Sequence, residues 1–110
     1  MAGTKISEII KYLKRALSDQ GIDVEAIIVF GSRIKGTARK DSDLDLVVVS
    51  KDFREKNIFQ RAELLGEVDY KLIKKFMIPI DLITMSPEEW KKGTSLVAQF
   101  AQTGEVAYQK

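Results

Sequence analysis

The chain has 110 residues, 45% of them hydrophobic, and a formal net charge of +2. That length predicts one domain over residues 1–110, and so small a net charge gives no case for nucleic-acid binding by bulk electrostatics. Cysteine and histidine are both absent, which excludes disulfides, Cys- or His-ligated metals and any Ser-His nucleophile pair.

Chemistry is therefore left to carboxylates, Lys, Arg, Tyr or a metal held by oxygen ligands, which favour Mg²⁺ or Mn²⁺. No apolar run reaches the ~18–20 residues that span a bilayer, and no signal-peptide pattern precedes the first helix. The expectation is a soluble, cytoplasmic protein with no membrane association.

Ile6, Ile9, Ile10, Leu13, Ala16 and Leu17 fall at helical spacing, which predicts an amphipathic helix stopped near Gly21. Val24 to Phe30 predicts a strand whose apolar run implies burial on both faces. A polar, glycine-containing loop from Gly31 to Ser42 leads to a second strand, Leu44 to Ser50. Ile58 to Phe76 predicts a long helix with Ile58, Ala62, Leu65, Val68, Leu72 and Phe76 facing inward. Ile78 to Met85 predicts a third strand, and Pro79 at its start places it near a sheet edge or an entry turn. Ser86-Pro87-Glu88-Glu89 has the form of a capping box with Pro at the first helical position. Gly93 interrupts that helix, a further turn is expected over Ser95 to Gln102, and Glu105 to Tyr108 can add a short strand. The order predicts an α/β (α+β) fold with a small mixed β-sheet packed against helices on one main side.

Three features at strand ends can carry chemistry. Gly31-Ser32 follows a buried strand directly. Glycine lets the backbone approach a ligand and serine adds a hydroxyl, so such a turn can hold a phosphate; it can equally be only a turn. In Asp41-Ser42-Asp43-Leu44-Asp45-Leu46, strand alternation points Asp43 and Asp45 to one face and the leucines to the core. Two adjacent carboxylates repel, and a divalent cation resolves the conflict. A solvated acidic strand entry is the plain alternative, and Leu46-Val47-Val48-Val49 argues against it by making this an interior strand. Asp81 is a lone acid in an apolar strand, either a partner of that pair or a strand-end acid facing water.

Two rival motifs fail on the residue that carries their mechanism. Gly31-x4-Gly36-Thr37 has P-loop spacing, but Thr37 stands in place of the lysine. Asp41-x-Asp43-x-Asp45 opens like an EF-hand loop, but Leu46 occupies the glycine position.

Taken together, Gly31-Ser32-Arg33-x-x-Gly36 and Ser42-Asp43-x-Asp45-Leu46 resemble the signature of the DNA-polymerase-β-like nucleotidyltransferase superfamily. The short chain is most similar to the minimal nucleotidyltransferase (MNT or MntA-like antitoxin) branch. Lys35 departs from the pattern, since many relatives have arginine before the glycine. The resemblance implies that Asp43, Asp45 and Asp81 hold two Mg²⁺ ions, with Mn²⁺ as a substitute. It also implies that Gly31 and Ser32 bind the β- and γ-phosphates of ATP or another nucleoside triphosphate. Arg33 either contacts phosphate or braces the loop against Asp41. The implied reaction transfers a nucleoside monophosphate, AMP above all, to a hydroxyl of a HEPN-type helical partner protein. The chain would then be the antitoxin of a toxin–antitoxin pair and part of a hetero-oligomer. A non-catalytic module that restrains its partner, or a transferase acting on a small molecule as aminoglycoside nucleotidyltransferases do, are the alternatives.

Overall fold

Helix α1, Ile6–Asp19, buries Ile9, Ile10, Leu13, Ala16 and Leu17, the row that its spacing marks as inner. Its end is fixed by glycine. Gly21 adopts φ +77°, its N–H donates to the Ser18 carbonyl, and the Ile22 N–H donates to the Leu17 carbonyl at 3.0 Å. This is a Schellman closure, which requires the left-handed backbone that only glycine takes without strain. The computed structural model describes residues 6–30, 44–78, 80–92 and 105–110.

Strand β1 is Val24–Phe30 and β2 is Leu44–Ser50, followed by a 3₁₀ turn over Lys51–Phe53. Helix α2 spans Ile58–Phe76, β3 Ile80–Met85, α3 Pro87–Lys92 and β4 Glu105–Gln109. The four strands form one mixed sheet in the order β3-β2-β1-β4. β1 pairs antiparallel with β2 and with β4, and β2 runs parallel to β3. A parallel neighbour needs a crossover, and α2 supplies it. β3 lies at an edge, one of the two settings expected from Pro79, although Pro79 itself is outside the described residues.

Strand alternation divides the sheet's two faces. Ile27, Val29, Leu44, Leu46, Val48 and Ile80 join α1, α2 and Phe53 in the main core. Ala26, Ile28, Val47, Val49 and Met85 form a smaller cluster on the other face, covered by Ile83 and Trp90. Val47 and Val48 are both 0% exposed, so the central strands are buried on both sides, as their apolar runs imply. Trp90 covers the sheet.

α2 begins with a reciprocal capping box. The Gln60 N–H donates to Asn57 Oδ1 at 2.9 Å, and the Asn57 N–H donates to Gln60 Oε1 at 2.8 Å. Its buried side chains are Leu65, Val68 and Leu72. The inner row expected from Ile58 onward is corrected at its start: Ile58 is 75% exposed and Ala62 is also exposed. Both residues line a groove between α2 and the edge strand β3 instead of facing the core.

The expected box at Ser86 is present. The Ser86 N–H donates to Glu89 Oε1 at 2.8 Å and the Glu89 N–H donates to Ser86 Oγ at 3.2 Å. Gly93, the turn over Ser95–Gln102 and the side chains of Leu96, Val97 and Phe100 lie outside the described residues.

Candidate active site

The end of β1 and the beginnings of β2 and β3 meet at one end of the sheet. Phe30 is the register partner of Asp45 across the antiparallel ladder. Asp45 is the register partner of Asp81 across the parallel one. Leu44 and Leu46 are 0% exposed in the main core, and Ile80 is buried beside them. The residues between them, Asp45 and Asp81, therefore stand on the opposite face, their strands ~4.8 Å apart. Asp45 is half-buried on an interior strand and Asp81 is exposed at the edge. Two acids distant in sequence thus become neighbours.

Among the described residues no group of three or more acidic side chains is placed to hold a metal ion. Asp45 and Asp81 supply two neighbouring carboxylates. Asp43, Gly31, Ser32, Arg33, Lys35 and Asp41 lie outside the described residues. The chain enters that segment at Phe30, opposite Asp45, and leaves it at Leu44. Gly31-Ser32 and Asp43 are thus continuous in sequence with the strand ends beside Asp45.

A groove of about 250 Å³ opens between α2 and β3. Asp81, Leu82 and Thr84 line it from the strand, and Arg61, Leu65, Gly66 and Asp69 from the helix. Asp69 was not singled out in the sequence. Its Oδ1 is buried without a hydrogen-bond partner among the described residues. Burial, and then the charge of Asp81, push its carboxyl above the ordinary aspartate value. The available signal was its position one helical turn after Leu65, bordering the inner row of α2.

Arg61 closes the far end of the groove. Its Nη2 donates to the Phe53 carbonyl at 2.7 Å, its Nη1 reaches the Thr84 carbonyl at 3.4 Å, and it pairs with Glu89 at 3.0 Å. Burial raises the Glu89 carboxyl, but hydrogen bonds from the Ser86 N–H and from Arg61 outweigh it and hold the group below its usual range. One guanidinium therefore ties α2, the 3₁₀ turn, β3 and α3 together, and this fixes the strand that bears Asp81. A larger depression of about 690 Å³ lies elsewhere, lined by Gln20, Arg54, Glu55, Lys56, Gln60, Glu63 and Leu64. It includes neither member of the Asp45/Asp81 pair, so the groove is the better candidate for chemistry.

Residues 6–102 match the model of the nucleotidyltransferase domain family. Two relatives from Methanocaldococcus jannaschii, each named "Putative protein adenylyltransferase", are 32% identical over 79 residues and 35% identical over 81 residues. These alignments cover 72% and 74% of this chain. The chain spans about half of the first relative, 53%, and 76% of the second. The fold is shared with a crystal structure described as a "putative nucleotidyltransferase" from Sulfolobus solfataricus. That pair has a TM-score of 0.57 at 20% identity, covering 100% of this chain and 94% of the other. It is also shared with a chain in the crystal structure of a toxin–antitoxin with AMP-PNP. There the TM-score is 0.65 at 21% identity, over 91% of this chain and 73% of the other. Among the described residues no helix is long and apolar enough to cross a membrane.

Proposed function

The chain belongs to the nucleotidyltransferase family, and we propose that it transfers AMP from ATP to a hydroxyl of a partner protein. The observation that carries this reading is the Asp45–Asp81 register at the end of the sheet where β1 runs into Gly31-Ser32. The names of the two archaeal relatives favour a protein acceptor and an adenylyl group. The toxin–antitoxin neighbour with AMP-PNP favours ATP as donor and an antitoxin role; a helical, HEPN-type toxin is the partner that the sequence resemblance implies.

The donor set fits a hard divalent cation. Two carboxylates stand side by side where like charges repel, and the chain has no histidine or cysteine to attract a softer ion. Asp43, Asp45 and Asp81 are the residues that would hold Mg²⁺, two ions in all, with Mn²⁺ as the substitute. Bound there, the cation supplies charge neutralisation at the triphosphate and at the entering and leaving oxygens.

The protein's own groups do the positioning. The Gly31 amide and Ser32 hydroxyl hold the β- and γ-phosphates, and Arg33 adds a guanidinium contact. The acceptor hydroxyl oxygen bonds to the α-phosphorus as the bond from that phosphorus to the leaving oxygen breaks, and pyrophosphate departs. Asp81, exposed at the sheet edge, faces the acceptor and receives the hydroxyl proton on its carboxylate.

Calorimetric titration with ATP and Mg²⁺ tests the donor half of this scheme. Asp43→Asn and Asp45→Asn should each weaken binding at least tenfold while leaving the fold intact. Unchanged affinity in both variants would overturn the reading.

A further inference from the structure

Five of the six large apolar side chains exposed among the described residues lie on α2 or its C-cap: Ile58, Phe59, Tyr70, Ile73 and Met77. Four of them share one line. At ~100° per residue, Phe59, Gly66, Tyr70, Ile73 and Met77 fall within about 40° of a common axis on the outer face of the helix. This seam is roughly 27 Å long. Phe59 is 81% exposed, Tyr70 63% and Met77 79%.

We infer that this seam is the contact of a two-fold dimer in which α2 packs antiparallel against α2 of a second copy. The charge pattern selects that partner and that orientation. Glu63 flanks the seam in its N-terminal half and Lys74 flanks the same side in its C-terminal half; both are exposed. Glu63 has no ion-pair partner among the described residues, and Lys74 has only the Tyr70 ring, at 5.6 Å. A two-fold axis across the helices keeps each flank facing its own copy in reversed order. Glu63 then meets Lys74 of the second copy, and the pair occurs twice. A parallel arrangement would set the Glu63 flank against the opposite flank, at Ala62, and leave both Glu63 and Lys74 without the pair.

The apolar positions agree with the same register. Phe59 faces Met77 of the second copy, a favourable sulfur–aromatic contact, and Gly66 faces Tyr70. Glycine inside a helix is unfavourable by ~0.5–1 kcal/mol relative to alanine. A Cβ at Gly66 would meet nothing within 4 Å, so packing within the chain does not require the glycine. An approaching aromatic ring does. Four aromatic rings at roughly 150–250 Å² each, with Ile73 and Met77 added, bring the contact to the ~1,000 Å² of a specific interface. Gly66 and Ala62 also line the groove beside Asp81, so the second copy would border its open side.

Sedimentation velocity on the full chain, from micromolar to millimolar, tests the inference. We expect a monomer–dimer equilibrium. Gly66→Gln should raise the melting temperature by a few degrees, because a better helix former replaces glycine, yet weaken dimerisation at least tenfold. Glu63→Lys and Lys74→Glu should each weaken it about fivefold, since each change disrupts two rim pairs. The double variant should restore it. A monomer at every concentration would overturn the proposal, as would a dimer indifferent to Gly66→Gln. A double swap that fails to restore the dimer would overturn the antiparallel register. A monomer that binds a helical toxin through this seam would assign the face to that partner instead.

Discussion

Asp45 and Asp81 occupy the same rung of the parallel β2–β3 ladder, one on an interior strand and half-buried, the other at an exposed edge. Their surroundings differ although their chemistry is the same, and in the proposed scheme this separates their roles. Asp45 lies opposite Phe30, where the chain turns into Gly31-Ser32, which is the triphosphate side in the proposed scheme. Asp81 borders the open groove, which is the acceptor side in the same scheme.

Steady-state kinetics should report that division. Asp81→Asn is expected to lower kcat about 10²–10⁴-fold, the range for removal of an acid–base group, with KM for ATP changed only several-fold. Asp45→Asn should lose both affinity and turnover. Equal loss of ATP affinity in the two variants would move Asp81 to the triphosphate side.

Asp69 gives a pH-dependent prediction. Burial and the Asp81 charge raise its folded-state pKa above the unfolded value, so the native state holds the proton more tightly. The stability this contributes is fully present below the unfolded pKa and is lost as pH rises through the folded one. Asp69→Asn should therefore match the parent in acid and exceed it near neutral pH, by less than ~1 kcal/mol because the group is partly solvated. Urea unfolding at a series of pH values checks this. A gain that is largest in acid would contradict the assignment.

Ser50 tests the anchor at the other end of β2. Its side chain is fully buried, with Oγ donating to the Asp23 carbonyl at 2.7 Å and accepting from the Asp52 N–H at 3.1 Å. Asp52 Oδ2 in turn accepts from the Asp23 N–H at 2.7 Å. Ser50→Ala leaves buried backbone groups short of a partner and should cost about 1–3 kcal/mol. A denaturant midpoint unchanged by the substitution would show that water replaces these bonds.

Much of this arrangement was legible because local patterns and tertiary packing agree. The bounds of α2, the capping box at Ser86 and the two-sided burial of β1 and β2 follow from periodicity and turn chemistry. The Asp45–Asp81 pairing was legible only as an expectation, since strand register is a tertiary fact and either acid alone reads as a solvated strand end. Ile58 and Ala62 were misassigned inward because helical periodicity cannot reveal whether core or an open groove lies beneath one end of a helix. Asp69 and Arg61 escaped notice for a related reason: a polar residue beside an inner row looks like surface until the neighbouring strand is in place. Asp43, Gly31, Ser32 and Arg33 lie outside the described residues, and the roles proposed for them rest on the sequence alone.

The most direct test of the central claim is the intact mass of a cognate helical toxin after incubation with the chain, ATP and Mg²⁺. Transfer predicts that the toxin gains one or more AMP units, that pyrophosphate is released in equal amount, and that the Asp45→Asn variant produces neither. A toxin that binds tightly but keeps its mass, bound equally well by parent and Asp45→Asn, would contradict transfer and make the domain a restraining module.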